Sequence, residues 1–402
     1  MKTTSNNTQG DEDIQKTDAF RWRSGLVGAL ALGSAAFVAG TLVKVFMNTD
    51  EYDGLHSLVS YSSRMIAAAR AMEDEEDEES RLVYDPLATH VAGRKALNKA
   101  RRRRVKAPPG YGRRWKISRI GIRTKWFDDQ LEECLGMPDS YRSTPTASER
   151  THVIDTFSCQ KTSKKVFPVQ VVEIGAGLST RPWRLHLPAT LAWFDVDRQD
   201  VIDVKEDVLH ASGAEIDVMS PVRRSQSKNS ILEQKIGSLD HHSLGVEYPI
   251  RCESRSSVPA DLNDPSWKAA LTRAGFDTSK ATVWILEGIL MYLTRDRVDA
   301  LLQELASMSA PGSCLITGHV TEEVVRDISK HTNSQLMKEW LSGCPREPTD
   351  WMKGLGWDVQ GIHTRATIAN ALGIPKEVCA FESDPDNPSS MKSLFIAATI
   401  AS

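Results

Sequence analysis

The stretch VVEIGAGLSTRPWRL, residues 171–185, ends an apolar run on Glu173, Gly175, Ala176 and Gly177 and continues into a polar turn. Glycines in such a turn let the backbone close on a ligand with no Cβ in the way. A dinucleotide fingerprint needs a third glycine, G-x-G-x-x-G, to leave room for a pyrophosphate. Thr180 stands there instead, which disfavours NAD. The next apolar run, TLAWFDVD, closes on Asp195 and Asp197, 20 and 22 residues after Gly175. A carboxylate at the end of a second strand can accept hydrogen bonds from two ribose hydroxyls. Glycine contact and a ribose acid without a phosphate cradle suit S-adenosyl-L-methionine. For the loop alone, a tight strand–helix turn is the alternative.

The elements that must carry these groups are legible in the hydrophobic pattern. Strands are expected at 168–174, 190–196, 281–286, 313–319, 357–362 and 394–400. Val298, Leu301, Leu302 and Leu305 follow helical spacing over 295–309, and Pro311-Gly312 stops that helix. Alternating strands and helices imply an α/β fold with a doubly wound, mostly parallel sheet. Ligands then sit at the carboxyl ends of strands near the switch point, where the glycine loop falls. Upstream, residues 55–72 read as a helix whose apolar face is Leu55, Leu58, Met65, Ile66 and Ala69.

Four segments in order, VVEIGAGLSTRPWRL, WFDVDRQDVIDVKEDVL, VPADLNDPSWKAALTRAGFD and WILEGILMYLTRDRVDALL, resemble the leucine carboxyl methyltransferase-like family of S-adenosylmethionine-dependent methyltransferases. The most similar branch is the bacterial-type O-methyltransferases. SSRMIAAARA, VYDPLATHVAG and IRTKWFDDQL extend the resemblance over about residues 58–400. It implies a class I, Rossmann-like fold with N-terminal helices. It also implies roles. Arg123 would pair with the methionine carboxylate of the cofactor, as a guanidinium fork suits a carboxylate. Glu173, Gly175, Ala176 and Gly177 form the cofactor loop. Asp197 is the favoured ribose acceptor, and Asp195, two residues before it and facing the other side of the strand, is kept as a second cofactor-binding candidate. Asp261 and Leu262 frame the adenine, and Glu287 closes the site. Tyr292 and Met291 lie near the substrate, and Glu287 and Tyr292 are the catalytic candidates. Arg181 reads as a surface residue at a helix start. The sequence departs from the family at two places: Ser179 replaces the acid of G-A-G-x-D-T, and Asn263 replaces an arginine that holds a substrate carboxylate in the leucine-carboxyl branch.

Methyl transfer to a carboxylate needs no general base, whereas transfer to a hydroxyl does. His319, at a strand end, is a candidate base by position, though such a histidine is more often structural. The acceptor is read as a small molecule; a protein C-terminal carboxylate and a catalytically silent cofactor-binding protein are the alternatives. No metal site is indicated. The six cysteines are scattered, with no zinc spacing.

Charge is uneven along the 402 residues, whose net charge is −3. Residues 73–79, EDEEDEE, read as a solvated linker. Residues 94–125 carry fourteen Lys/Arg and no acid, yet lack an aromatic stacking motif, so no nucleic-acid partner is assigned. Residues 1–23 read as a polar, disordered tail. Ser24–Val43 is uncharged for twenty residues, enough to span a ~30 Å hydrocarbon core. Residues 24–47 are thus a candidate transmembrane helix, and the protein a single-pass membrane protein; a leader removed on the way to an organelle or secretory lumen is the alternative. The methyltransferase domain is expected at 55–402, with insertions near 73–115, 135–166 and 213–250.

Overall fold

The computed structural model describes residues 52–76, 78, 81–105, 119–137, 167–216, 247–332, 334–374 and 393–401. Contacts divide the chain into Met1–His56 and Ser57–Ser402, and the second unit holds the elements below. Residues 24–43, the expected membrane span, lie outside the described residues. Among the described residues no helix is long and apolar enough to cross a membrane.

Seven strands form one sheet: β1 Gln170–Ile174, β2 Ala192–Asp197, β3 Ser254–Pro259, β4 Thr282–Leu286, β5 Cys314–Val320, β6 Trp357–Thr364 and β7 Ser393–Ile400. Their spatial order is β3-β2-β1-β4-β5-β7-β6. Pairing is parallel from β3 to β5, and β7 runs antiparallel to both β5 and β6. β1 and β4 are buried along their whole length, as parallel strands covered on both faces must be. β1 pairs with β2 on one side and β4 on the other, so the strand order reverses beside it. The crevice of an open α/β sheet opens at such a switch point. The glycine loop leaves β1 there, and Glu287 follows β4 there.

The described helices are α1 Leu58–Asp74, α2 Ala88–Val105, α3 Arg119–Cys134, α4 Arg181–Arg184, α5 Gln199–Ala211, α6 Trp267–Arg273, α7 Arg295–Ser307, α8 Glu322–His331, α9 Thr349–Gly354 and α10 Arg365–Ala371. One face of the sheet is covered by apolar residues of α6, α7 and α9, the other by those of α3 and α10. The expected stripe of α7 is wholly buried: Val298, Leu301, Leu302 and Leu305 are each 0% exposed. Each such side chain contributes about 1.5–3 kcal/mol of gross hydrophobic stabilisation.

All six expected strands are present, but β3 was not expected. Its sequence, SRSSVP, has neither an apolar run nor alternation. It is nonetheless buried through its centre, because Arg255 and Ser257 find polar partners in β2 and α5.

Helix α1 differs from expectation in orientation. Ser57 caps it, accepting from the Ser60 N–H at 3.0 Å. Of the residues read as one apolar face, Leu55 is buried, whereas Met65, Ile66 and Ala69 line a cavity. Ala67, Ala68 and Ala71 pack against α2, while Arg64, Arg70 and Glu73 are buried in polar contacts. The acidic run is likewise no simple linker. Glu73 and Asp74 belong to α1, and Glu73 accepts from the backbone N–H of Leu82 at 3.3 Å.

Candidate cofactor and acceptor site

A cavity of about 760 Å³ occupies the crevice at the carboxyl ends of β1, β2, β4 and β5, with α1 on one wall. That volume is in the range of small-molecule sites. Of the expected site residues, Arg123, Glu173, Gly175, Ala176, Gly177, Asp197, Asp261, Leu262, Glu287, Met291 and Tyr292 all line it.

The glycine loop is tied to the end of β2. Gly175 and Ala176 donate backbone N–H groups to the Val196 carbonyl at 2.8 and 3.2 Å. Gly177 donates to Asp197 Oδ2 at 2.6 Å. Both glycines have positive φ, +68° and +52°, which only glycine adopts readily. A Cβ on Gly175 would stand 2.9 Å from Ile289, and one on Gly177 3.2 Å from Ser63.

Asp197 faces the cavity, its second oxygen held by the Arg198 N–H at 2.7 Å. Burial pushes its pKa up to about 6, against those two backbone hydrogen bonds. The folded state thus favours its protonated form, and that contribution to stability is lost as pH rises through about 6. Cofactor binding has the opposite sign, since ribose hydroxyls need an ionised acceptor. Affinity for S-adenosylhomocysteine is therefore expected to be level well above pH 6 and to weaken as pH falls below it. Calorimetric titration across that window checks this; affinity rising toward acid would contradict the assignment of Asp197.

Asp195 is placed elsewhere, a correction to its expected contact with the cofactor. It points to the opposite side of β2 and is 0% exposed. Its carboxylate accepts from Lys205 Nζ at 2.8 Å, Arg255 Nε at 2.8 Å and Trp193 Nε1 at 2.9 Å. Burial alone would raise its pKa, but Arg255 and Lys205 prevail and hold it at about 2.

Arg181 is the second correction. It is 2% exposed rather than on the surface, and it sits among Asp128, Glu173 and Glu287. Glu287 shares its two oxygens between Arg181 Nη2 and Arg123 Nε, the latter at 2.8 Å. Against the raising effect of burial, these two cations hold Glu287 at about 2. A carboxylate so clamped does not exchange a proton near neutral pH, so Glu287 orders charge instead of acting as the expected catalytic group.

His319 is the third. It lines the cavity at 2% exposure, and its Nδ1 accepts from the Val320 N–H at 3.1 Å. An accepting Nδ1 carries no proton, so the neutral ring holds its hydrogen on Nε2. Nε2 has no partner among the described residues. Burial, helped by Arg295, lowers the pKa to about 3. With Nδ1 engaged and its pKa held down, His319 is poorly set up to take a proton, and Nε2–H is its one N–H.

The residues fit the methionine end of S-adenosylmethionine. Among the described residues, Arg123 engages only through Nε, which leaves both terminal nitrogens for a carboxylate. Glu173 keeps Oε2 buried and unpartnered, an acceptor suited to an ammonium. Asp261, expected at the adenine, is exposed at the cavity and accepts from Asn263 through both backbone and side chain, and Leu262 lies beside it. Tyr292 is half-buried near Ser62 of α1, and burial raises its phenol pKa.

A largely parallel sheet with the antiparallel β7 inserted between β5 and β6, and a glycine loop and the Asp197 carboxylate at its switch point, make up a Rossmann-like class I methyltransferase fold. The family model described as leucine carboxyl methyltransferase matches residues 137–306. A Frankia alni protein is 28% identical over 316 residues, covering 77% of this chain and 86% of its own. A Mycobacterium avium protein is 27% identical over 354 residues, covering 83% of this chain and 93% of its own. Both are provisionally named S-adenosyl-L-methionine-dependent methyltransferases. Among solved structures, a duf574 family protein from Streptomyces avermitilis has 13% identity and a TM-score of 0.38, covering 83% of this chain and 96% of its own. The chain is an S-adenosylmethionine-dependent methyltransferase, similar to leucine carboxyl methyltransferases over the matched span.

Proposed function

We propose that this enzyme methylates a carboxylate of a small molecule, forming a methyl ester. The observation that carries the reading is the state of the groups around the cavity. Glu287 and Glu173 are clamped by arginines, Asp197 is committed to the glycine loop, and His319 has its Nδ1 engaged as acceptor by a backbone N–H. Burial moves the phenol of Tyr292 away from the range where it would serve as a base. Glu339 is exposed at the rim. Glu173, whose pKa burial raises against Arg181, is assigned in this reading to the cofactor's ammonium, and no other described residue of the interior is poised to deprotonate a hydroxyl. A carboxylate arrives already ionised and needs no such group.

Bound S-adenosylmethionine supplies an electrophilic methyl on a sulfonium. The chain's own task is to align an oxygen with it and to exclude water. His319 Nε2–H can donate to the acceptor's carboxylate, and Arg365, 8% exposed on the cavity wall, supplies positive charge nearby. Val59, Met65 and Ile66 of α1 and Met291 offer apolar walls.

Incubation of the enzyme with labelled cofactor and a cell extract tests the reading. Label is expected in organic-soluble products and should be released by mild base, as methyl esters are. Base-stable label would sink the carboxylate reading, and base-labile label confined to protein would favour a protein C-terminus. For residues 24–43 we keep the reading of a membrane anchor. Fractionation is expected to place the full chain with membranes and a chain lacking residues 1–50 in the soluble fraction; a soluble full chain would remove the anchor.

A further inference from the structure

Arg181 uses each of its three guanidinium nitrogens on a different carboxylate from a different element. Nε donates to Asp128 Oδ1 of α3 at 2.8 Å, Nη1 to Glu173 of β1, and Nη2 to Glu287 after β4. Glu287 passes the arrangement on, since its other oxygen holds Arg123 Nε at 2.8 Å. Arg184 donates to both oxygens of Asp128 at 2.7 and 2.9 Å and reaches Asp85 at 3.8 Å, which Arg70 holds at 2.7 Å. Arg70, Arg123, Arg181 and Arg184 thus face Asp85, Asp128, Glu173 and Glu287, four cations against four anions.

We propose that Arg181 is the positioning residue for the amino-acid end of the cofactor. By clamping Glu287 it fixes Arg123, which meets the carboxylate, and by clamping Glu173 it fixes the oxygen that meets the ammonium. The inference rests on the cofactor and is independent of which acceptor is methylated. A zwitterion adds one charge of each sign to a balanced set, so the group remains neutral when filled. Ser179 fits the same balance. Its hydroxyl lies 3.4 Å from Arg181 Nη1, where an acid would give Arg181 a fourth carboxylate. Only a planar fork can serve three carboxylates in this way; a lysine offers one nitrogen.

The test uses the full chain and two probes, S-adenosylhomocysteine and methylthioadenosine, which lacks the amino-acid end. Arg181→Lys is expected to lower affinity for S-adenosylhomocysteine by about tenfold or more, the scale of a charge-assisted hydrogen bond. Affinity for methylthioadenosine should not move. In an Arg123→Ala background, Arg181→Lys should cost markedly less. Glu287→Gln, which keeps the side chain's shape but not its charge, serves as the second variant and should show the same split between probes. Equal losses for both probes would mean that Arg181 only supports the scaffold. An undiminished effect in the Arg123→Ala background, or no effect on S-adenosylhomocysteine, would also overturn the proposal.

Discussion

Gly175→Val is expected to abolish measurable binding of S-adenosylhomocysteine while leaving the secondary structure in place. Gly175 has φ +68°, a conformation that costs a valine about 1–3 kcal/mol. Its new Cβ would also stand 2.9 Å from both Cβ and Cγ1 of Ile289. Ile289 lies two residues after Glu287, so the displacement spreads to the loop that carries Arg123's partner. Misplacement by about 1 Å can cost on the order of a hundredfold, and here both walls of the cofactor end move. Gly354 is the control: a Cβ there meets nothing within 4 Å, and its φ is not positive. Calorimetry should show Gly354→Ala binding as the wild type does. If Gly175→Val bound normally, the ligand could not lie on this loop.

The second large effect is on stability and comes from the residue moved out of the site. Asp195→Ala would leave the buried Lys205 without its carboxylate and Arg255 with Glu206 alone of the two acids it now pairs with. Breaking a buried pair by removing one partner costs about 3–5 kcal/mol. Thermal denaturation should show a midpoint lower by about 4–7 °C. The folded variant should keep its affinity for S-adenosylhomocysteine, because Asp195 is outside the cavity. A wild-type melting temperature, or a loss of binding by protein that is still folded, would contradict the placement. The sign with pH is also fixed. Asp195 is held at about 2, below its ordinary value, so its contribution is complete above the unfolded carboxylate range and is lost as pH falls toward about 2.

What could be read from the sequence follows from how each element is held. β1, β4 and β5 are covered on both faces, so their apolar runs stand out. β3 is held by Arg255 with Asp195 and Ser257 with Glu206, and a strand stabilised by polar partners leaves no hydrophobic pattern. For α1 the pattern was visible, but it did not say what covers the apolar face. Met65 and Ile66 face a cavity, while Arg70 is buried against Asp85 at 2.7 Å. Periodicity shows that a face is apolar, not whether protein or ligand covers it.

The residues that line the cavity were legible for two reasons: Glu173, Gly175, Asp197 and Glu287 because they stand at the ends of β1, β2 and β4, and Arg123, Asp261 and Leu262 through the resemblance of their segments to the family. Their states were not. The role of Arg181 depends on Asp128, 53 residues away, and on Glu287, 106 away, and no local spacing encodes such a contact. The tautomer of His319 depends on a backbone N–H that only the coordinates display. Ser179, which departs from the family pattern, is explained by the same group: Arg181 beside it already has three carboxylates.

The central claim is that S-adenosylmethionine binds where Asp197 and the glycine loop meet. Titration of the wild-type chain and of Asp197→Asn with S-adenosylhomocysteine tests it most directly. One molecule should bind per wild-type chain, and the variant, stable and folded, should bind about tenfold or more weakly, the loss expected for hydrogen bonds to a charged acceptor. No binding by the wild type, or equal affinity in the two proteins, would contradict it.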